Sequence, residues 1–215
     1  MNTHEYTSEA KVKWSQETMY PPLHPDHNSF LTDRNGKFKY KWLELVGVHA
    51  NCFTRHLMSD AVDIHESQFI GITNDVDTYD TCVNAYPNVD IRCEEWLHFC
   101  KTYKGNDIGL ICFDSWHAAK GDWFKKNLRA TLDLGLRCQS TIGECLVVIN
   151  VSERATKRHK IKDPVAKFKK YIEEVFSEHD SRQIAEREID EDTIYKYRQH
   201  NKSDVMMSYT ILLDG

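Results

Sequence analysis

The sequence predicts a doubly wound α/β fold: a mostly parallel sheet of about seven strands, helices on both faces, and a terminal antiparallel hairpin. Three observations predict it. From Lys41 onward, short apolar runs alternate with longer segments of helical spacing, the pattern of βαβ units. Several of those runs are almost continuously apolar, as expected of parallel strands covered on both faces. Near the carboxyl terminus the alternation stops, and two β-rich runs flank a short turn-like connection.

Residues 1–38 are polar and turn-rich, with "YPPLHPDHNSF" and "TDRNGK" supplying Pro, Asp, Asn and Gly. They read as an amino-terminal arm or cap, which leaves 39–215 as the α/β domain. The runs "KWLELVG" (41–47), "QFIGIT" (68–73), "VDIRC" (89–93), "IGLICFD" (108–114) and "ECLVVINV" (144–151) fit strands. Between them, "CFTRHLMSDAVDI", "DTYDTCVNAYP", "EEWLHFCKTY" and "GDWFKKNLRATLDLGLR" each have room for a helix. After the fifth strand, "ERATKRHKIKD" reads as a basic loop. In "PVAKFKKYIEEVFSEH", Val165, Phe168, Tyr171, Ile172, Val175 and Phe176 recur at helical spacing, and Pro164 suits a first helical position. "TIYKYRQ" and "VMMSYTILL" around "HNKSD" read as the hairpin.

Composition bounds the class. With 215 residues, 40% apolar and 28% charged, the chain is a packed globule of one domain rather than a disordered polymer. A formal charge of -5 and a pI near 6.1 give no overall positive field to draw nucleic acid, although local patches remain. The seven cysteines contain no CxxC pair and mostly lie in apolar segments, so they read as reduced core thiols of an intracellular protein. "MNTHEYTSEAKVKW" has no apolar signal core, and no segment approaches the roughly 20 apolar residues that span a bilayer. A cytoplasmic or otherwise intracellular protein with no membrane partner is expected. His24 and His27 in "HPDH" have metal-like spacing without a clear third ligand, so no metal is assigned.

Five alternating β/α units closed by an antiparallel hairpin resemble the class I S-adenosylmethionine-dependent methyltransferase fold, over about residues 38–215. In that family the first strand ends at an acidic residue, and a glycine-rich turn then approaches the cofactor. "LELVGVHANCFTRHL" offers Glu44, Gly47 and Ala50 there, with Val48, His49 and Asn51 bulkier than the family pattern. The resemblance implies S-adenosylmethionine as cofactor and Asp75, beside Asn74 and Asp77, on its ribose hydroxyls. A carboxylate suits that task because it offers several acceptor sites. Thr73 stands where the family's acid usually sits. In "RCEEW", Glu94 or Glu95 would accept from the adenine amino group and Trp96 would border the base. The same letters also have plainer readings: a βα turn, a helix cap at Asp75, and first-turn acids at Glu94 and Glu95.

"IGLICFDSWHAAKGDWF" delivers Asp114, Ser115, Trp116 and His117 to a strand's carboxyl end, where open α/β sheets bind ligands. By the resemblance Asp114 is the fourth-motif acid. His117 has a side chain that titrates near neutrality and suits a general base, and Ser115 and Trp116 would touch substrate. "DSWH" lacks the prolines of the base-amino enzymes, and Cys112 lacks the neighbouring proline of the cytosine-C5 enzymes. For the ribose 2′-O set, Lys39 or Lys41 and Asp114 fill two places, while Asn150 stands where a second lysine is expected. Lys157, Arg158 and Lys160, in the basic 157–162 stretch, would contact phosphate of a nucleic-acid substrate, or form a solvated loop.

The leading expectation is a methyltransferase with an unknown acceptor, nucleic acid among the candidates. One alternative is a catalytically inactive module of the same fold that binds or inhibits a protein partner. Another is a Mg²⁺-dependent nuclease or hydrolase holding metal with Glu44, Asp75 and Asp114.

Overall fold

The computed structural model describes residues 31–46, 64–115, 119–158, 160–179, 194–198 and 205–214. Among these lie seven strands in one sheet: β1 (Lys41–Leu45), β2 (Phe69–Thr73), β3 (Asp90–Cys93), β4 (Ile108–Ser115), β5 (Glu144–Ser152), β6 (Tyr195–Arg198) and β7 (Val205–Asp214). Their order across the sheet is β3-β2-β1-β4-β5-β7-β6. Strands β1 to β5 are parallel, and β7 runs antiparallel to both β5 and β6. The chain winds outward from β1 through β2 and β3, then restarts at β4 on β1's other side. The topological switch point, where open α/β sheets take their ligands, therefore lies at the carboxyl ends of β1 and β4.

Helices α1 (Val76–Ala85), α2 (Trp96–Thr102), α3 (Gly121–Ile142), α4 (Glu153–Arg158) and α5 (Pro164–Ser177) connect the strands. One sheet face, carrying Leu43, Ile72, Phe113, Ile149 and Met207, packs under α2, α3 and α5 through Phe99, Phe124, Leu128, Phe168 and Ile172. The other carries Trp42, Leu110, Leu146 and Val148, and packs with Leu31, Phe38 and Cys82 of α1. Helix α3 lies close to the sheet because Gly135 has no side chain: a Cβ there would sit 2.9 Å from both Leu213 Cδ1 and Val147 Cγ2. It runs past the expected Arg137 to Ile142 and stops at Gly143, whose φ of 96° is a glycine conformation.

Two sequence expectations change. The 1–38 stretch was expected outside the core, yet Leu31 and Phe38 are fully buried. A turn brings them together: Asp33 Oδ1 accepts from the Asn35 and Lys37 N–H groups, and Thr32 bridges Phe38. The basic stretch expected as a loop begins as helix α4, in which Lys157 pairs with Glu153 at 3.0 Å, one turn back. Beyond it Lys160 has φ 60°, and its N–H donates to the Lys157 carbonyl.

Among the described residues no helix is long and apolar enough to cross a membrane. The six described cysteines are free thiols, five of them buried and Cys93 exposed.

Candidate functional site

Along the second sheet face, the side chains change from apolar to polar toward the strands' carboxyl ends. Trp42, Leu110, Leu146 and Leu212 stand in register as an apolar row. The next row on that face is Gly71, Glu44, Cys112, Val148 and Thr210. In the row after it, Asp114, Asn150 and Ser208 lie side by side on β4, β5 and β7. Glu44 is 1% exposed, Asn150 0% and Ser208 1%. Buried polar side chains are costly to keep in a sheet that Val or Ile would fill well. Sequence reading weighed Asn150 only as a missing lysine. The stronger signal was one polar letter inside the apolar run "LVVINV".

At the ends of β2 and β3, Asn74, Asp75, Glu94 and Glu95, four of the residues expected around the cofactor, come together. Asp75 is the N-cap of α1, its Oδ1 accepting from the Thr78 N–H at 2.7 Å, and its own N–H donates to Thr73 Oγ1. The hydrogen bonds from Thr78 hold its carboxyl below the usual range. Asn74 Nδ2 donates to Glu95 Oε1 at 2.8 Å, tying the β2 end to the β3–α2 turn. The Glu94 N–H donates to the Thr73 carbonyl at 2.8 Å. Gly71 lets the backbone pass between neighbours here, since a Cβ would lie 2.7 Å from Ile91 Cδ1 and 2.8 Å from Val46 Cγ1.

Trp96, expected beside the adenine, turns inward. It is 3% exposed, its Nε1 donates to Thr131 Oγ1 at 2.9 Å, and its ring packs on Phe113 with centroids 5.4 Å apart. The indole starts α2 and faces α3, so both its apolar body and its donor are used in the core.

On the other side of the switch point, Asp114 is half-buried in the polar row, whereas Ser115 points to the opposite face and is 2% exposed. Lys157, Arg158 and Lys160 are exposed. Helix α4 is joined to the β4–α3 connection by the Ala119 N–H, which donates to the buried Thr156 hydroxyl at 3.1 Å. Gly47, Ala50, Trp116 and His117 lie outside the described residues, as do His24 and His27.

Lys41 does not join Asp114. It pairs in register with Ile108 at the start of β4, about 20 Å of strand from Asp114. Its ammonium bonds Asp107 at 3.0 Å and the Tyr103 hydroxyl at 3.2 Å. Burial opposes the charge on Lys41, yet those bonds outweigh it and raise its pKa. Glu44, Asp75 and Asp114 do not gather into a group able to hold a metal ion, and neither do any other three His, Cys, Asp or Glu among the described residues.

No protein-family model matches the chain, and no curated protein sequence matches it. Solved structures do. The chain is similar to the plantazolicin methyltransferase BamL, solved with a triazolic desmethylPZN analog and SAH (TM-score 0.52, 13% identity, 80% of this chain and 64% of that one). It is also similar to spermidine synthase from Thermotoga maritima (TM-score 0.52, 14% identity, 96% and 59%). A third likeness is to WbdD, solved with the kinase inhibitor LY294002 (TM-score 0.50, 13% identity, 95% and 41%). The chain thus spans less than two thirds of the length of each. Identities this low speak of architecture alone, and the strand order and the reversed β7 agree with it: the chain has the class I S-adenosylmethionine-dependent methyltransferase fold.

Proposed function

We propose that this chain binds S-adenosylmethionine at the carboxyl ends of β1, β2 and β3 and moves its methyl group to an acceptor held beside β4 and β5. The observation that carries the reading is the meeting of Asn74, Asp75, Glu94 and Glu95 at the carboxyl ends of β2 and β3, beside the switch point of a fold shared with BamL, whose structure holds SAH. The donor set fits the cofactor. Asp75 gives one oxygen to Thr78 and retains acceptor sites for ribose hydroxyls, and Glu94 and Glu95 supply acceptors for an amino group. Carboxylates around these strand ends also favour a ligand with a positive centre. Bound there, S-adenosylmethionine supplies a methyl group on a positively charged sulfur. Asp114 orients the acceptor and takes up its proton, with His117 as the second proton acceptor. Holding the acceptor in line supplies most of the acceleration.

Calorimetric titration with S-adenosylmethionine and S-adenosylhomocysteine tests this. Asp75→Asn is the informative variant, because Asn caps a helix as well as Asp does and removes only the charge. Saturable binding is expected, weakened roughly tenfold in the variant at an unchanged melting temperature. Absence of heat from a cooperatively folded protein would reject the reading.

A further inference from the structure

The Asn150 carboxamide is fully enclosed, and among the described residues neither its nitrogen nor its oxygen has a hydrogen-bond partner. Ser208, directly across from it on β7 and 1% exposed, is in the same state at Oγ. So is Thr210 Oγ1, one row toward the amino end of β5. The alternate positions of β5, Val147, Ile149 and Val151, are filled with apolar side chains on the helix-covered face. On the row's other flank stands Asp114, in register with Asn150. A carboxylate that only accepts, an amide that both donates and accepts, and a hydroxyl that does either are thus lined up across three adjacent strands. They lie at the carboxyl-terminal end of the sheet, where this fold class takes its ligands.

We infer that Asn150 and Ser208 form the floor of the acceptor subsite, and that the acceptor is an amine or hydroxyl bearing its own N–H or O–H. This rests on the methyltransferase reading and names its substrate class. Asp114 is a carboxylate that only accepts, so it suits a nucleophile whose N–H or O–H is a strong donor and discriminates against an S–H, which donates weakly, and against carbon, which does not donate. Asn150 Oδ1 takes a second hydrogen from the same or an adjacent atom, while Nδ2 and the Ser208 hydroxyl donate to a neighbouring polar atom of the acceptor. In the transfer, the acceptor's lone pair forms the new bond to the methyl carbon. Sulfur keeps the electron pair of the bond that breaks, and the acceptor's released proton passes to the Asp114 carboxylate. Asn150 is a specificity-determining residue in this scheme and takes no proton.

Asn150→Val and Ser208→Ala test the inference with two readouts. The first needs no ligand. Removing a polar group held for a ligand rather than for the fold should leave the melting temperature of each variant unchanged or raised. A fall of several degrees in both would show that the row is structural and overturn the inference. The second is transfer of radiolabelled methyl from S-adenosylmethionine to putrescine, ribose, adenosine and 2-mercaptoethanol. Transfer to one of the first three is expected, reduced at least thirtyfold by Asn150→Val, with cofactor affinity within twofold of the parent. Preference for the thiol, unchanged transfer by Asn150→Val, or cofactor binding with no transfer to any N–H or O–H probe would each overturn it. Loss of cofactor binding in the parent protein is a separate result, seen as absent calorimetric heat, and would defeat the underlying reading together with this one.

Discussion

Cys93 differs from the other described cysteines in where it sits. It ends β3 in register with Thr73, beside Glu94, and it is exposed. Cys100 is buried against α3, and that burial pushes its thiol up to about 12; burial likewise raises Cys138 and Cys145. Since the thiolate is the nucleophile, buried thiols with raised pKa values react slowly. Limiting iodoacetamide at pH 8 should therefore modify Cys93 ahead of Cys82, Cys100, Cys112, Cys138 and Cys145, as read by peptide mass spectrometry. Saturating S-adenosylmethionine should slow that modification severalfold. Equal labelling with and without the ligand would place the cofactor away from the β3 end.

At the scale of the element, helix α3 decides how close one layer comes to the other. Gly135 lies within it, facing Leu213 and Val147. Two effects oppose each other in Gly135→Ala. Helix propensity favours alanine by about 1 kcal/mol, while overpacking costs about 1–3 kcal/mol. The Leu213 methyl is the end of a flexible side chain and can swing aside. Val147 is β-branched and stiff, so overpacking wins. A net loss of roughly 1 kcal/mol, or a melting temperature lower by about 2–4 °C, is expected from thermal unfolding. A rise would show that Val147 yields. Elements of this kind were readable in the sequence: continuous apolar runs and 3.6-residue spacing are local signals, and β1 to β5, α5 and the hairpin lie where those signals stand. The buried Leu31 and Phe38 were not readable, because a turn and a sheet surface formed elsewhere in the chain decide their burial. Nor was the polar row readable. Asn150 alone shows as a polar letter in an apolar run, but Asp114, Asn150 and Ser208 become neighbours through strand register, which is set by the packing of the whole sheet. Asp75 was open to two readings, and the structure shows the cap; a carboxylate can serve a helix end and a ligand together.

For the whole molecule, the Lys41–Asp107–Tyr103 cluster connects the start of β1 to the turn before β4 and links stability to pH. Tyr103 Oη donates to Asp107 Oδ1 at 2.6 Å, and burial, helped by Asp107, lifts the phenol to about 12. Partial burial works against the Asp107 carboxylate, but Tyr103 and Lys41 prevail and its pKa falls below 3.8. A depressed carboxylate stabilises the fold above its unfolded pKa, and that contribution disappears as pH falls through the folded value. The raised Lys41 and Tyr103 act in the opposite window, their contribution present at neutral pH and lost in strong alkali. Asp107 is 49% exposed, so its share at neutral pH is well under about 1 kcal/mol. Asp107→Asn should lower the urea midpoint slightly at pH 7, and the gap between the two proteins should narrow as pH falls through the folded carboxylate's pKa. A gap that does not narrow on acidification would assign the effect to lost hydrogen bonding rather than charge.

Strand β5 carries two kinds of information on alternating letters. Val147, Ile149 and Val151 face the helices, while Val148, Asn150 and Ser152 face the other way. A lineage carrying this sheet can rewrite every second residue near the strand tips and exchange one chemical preference for another, while the intervening letters keep the architecture intact. Diversification and foldability are thereby written in separate registers of the same strand. Chains that agree with this one at only 13–14% of positions share its fold.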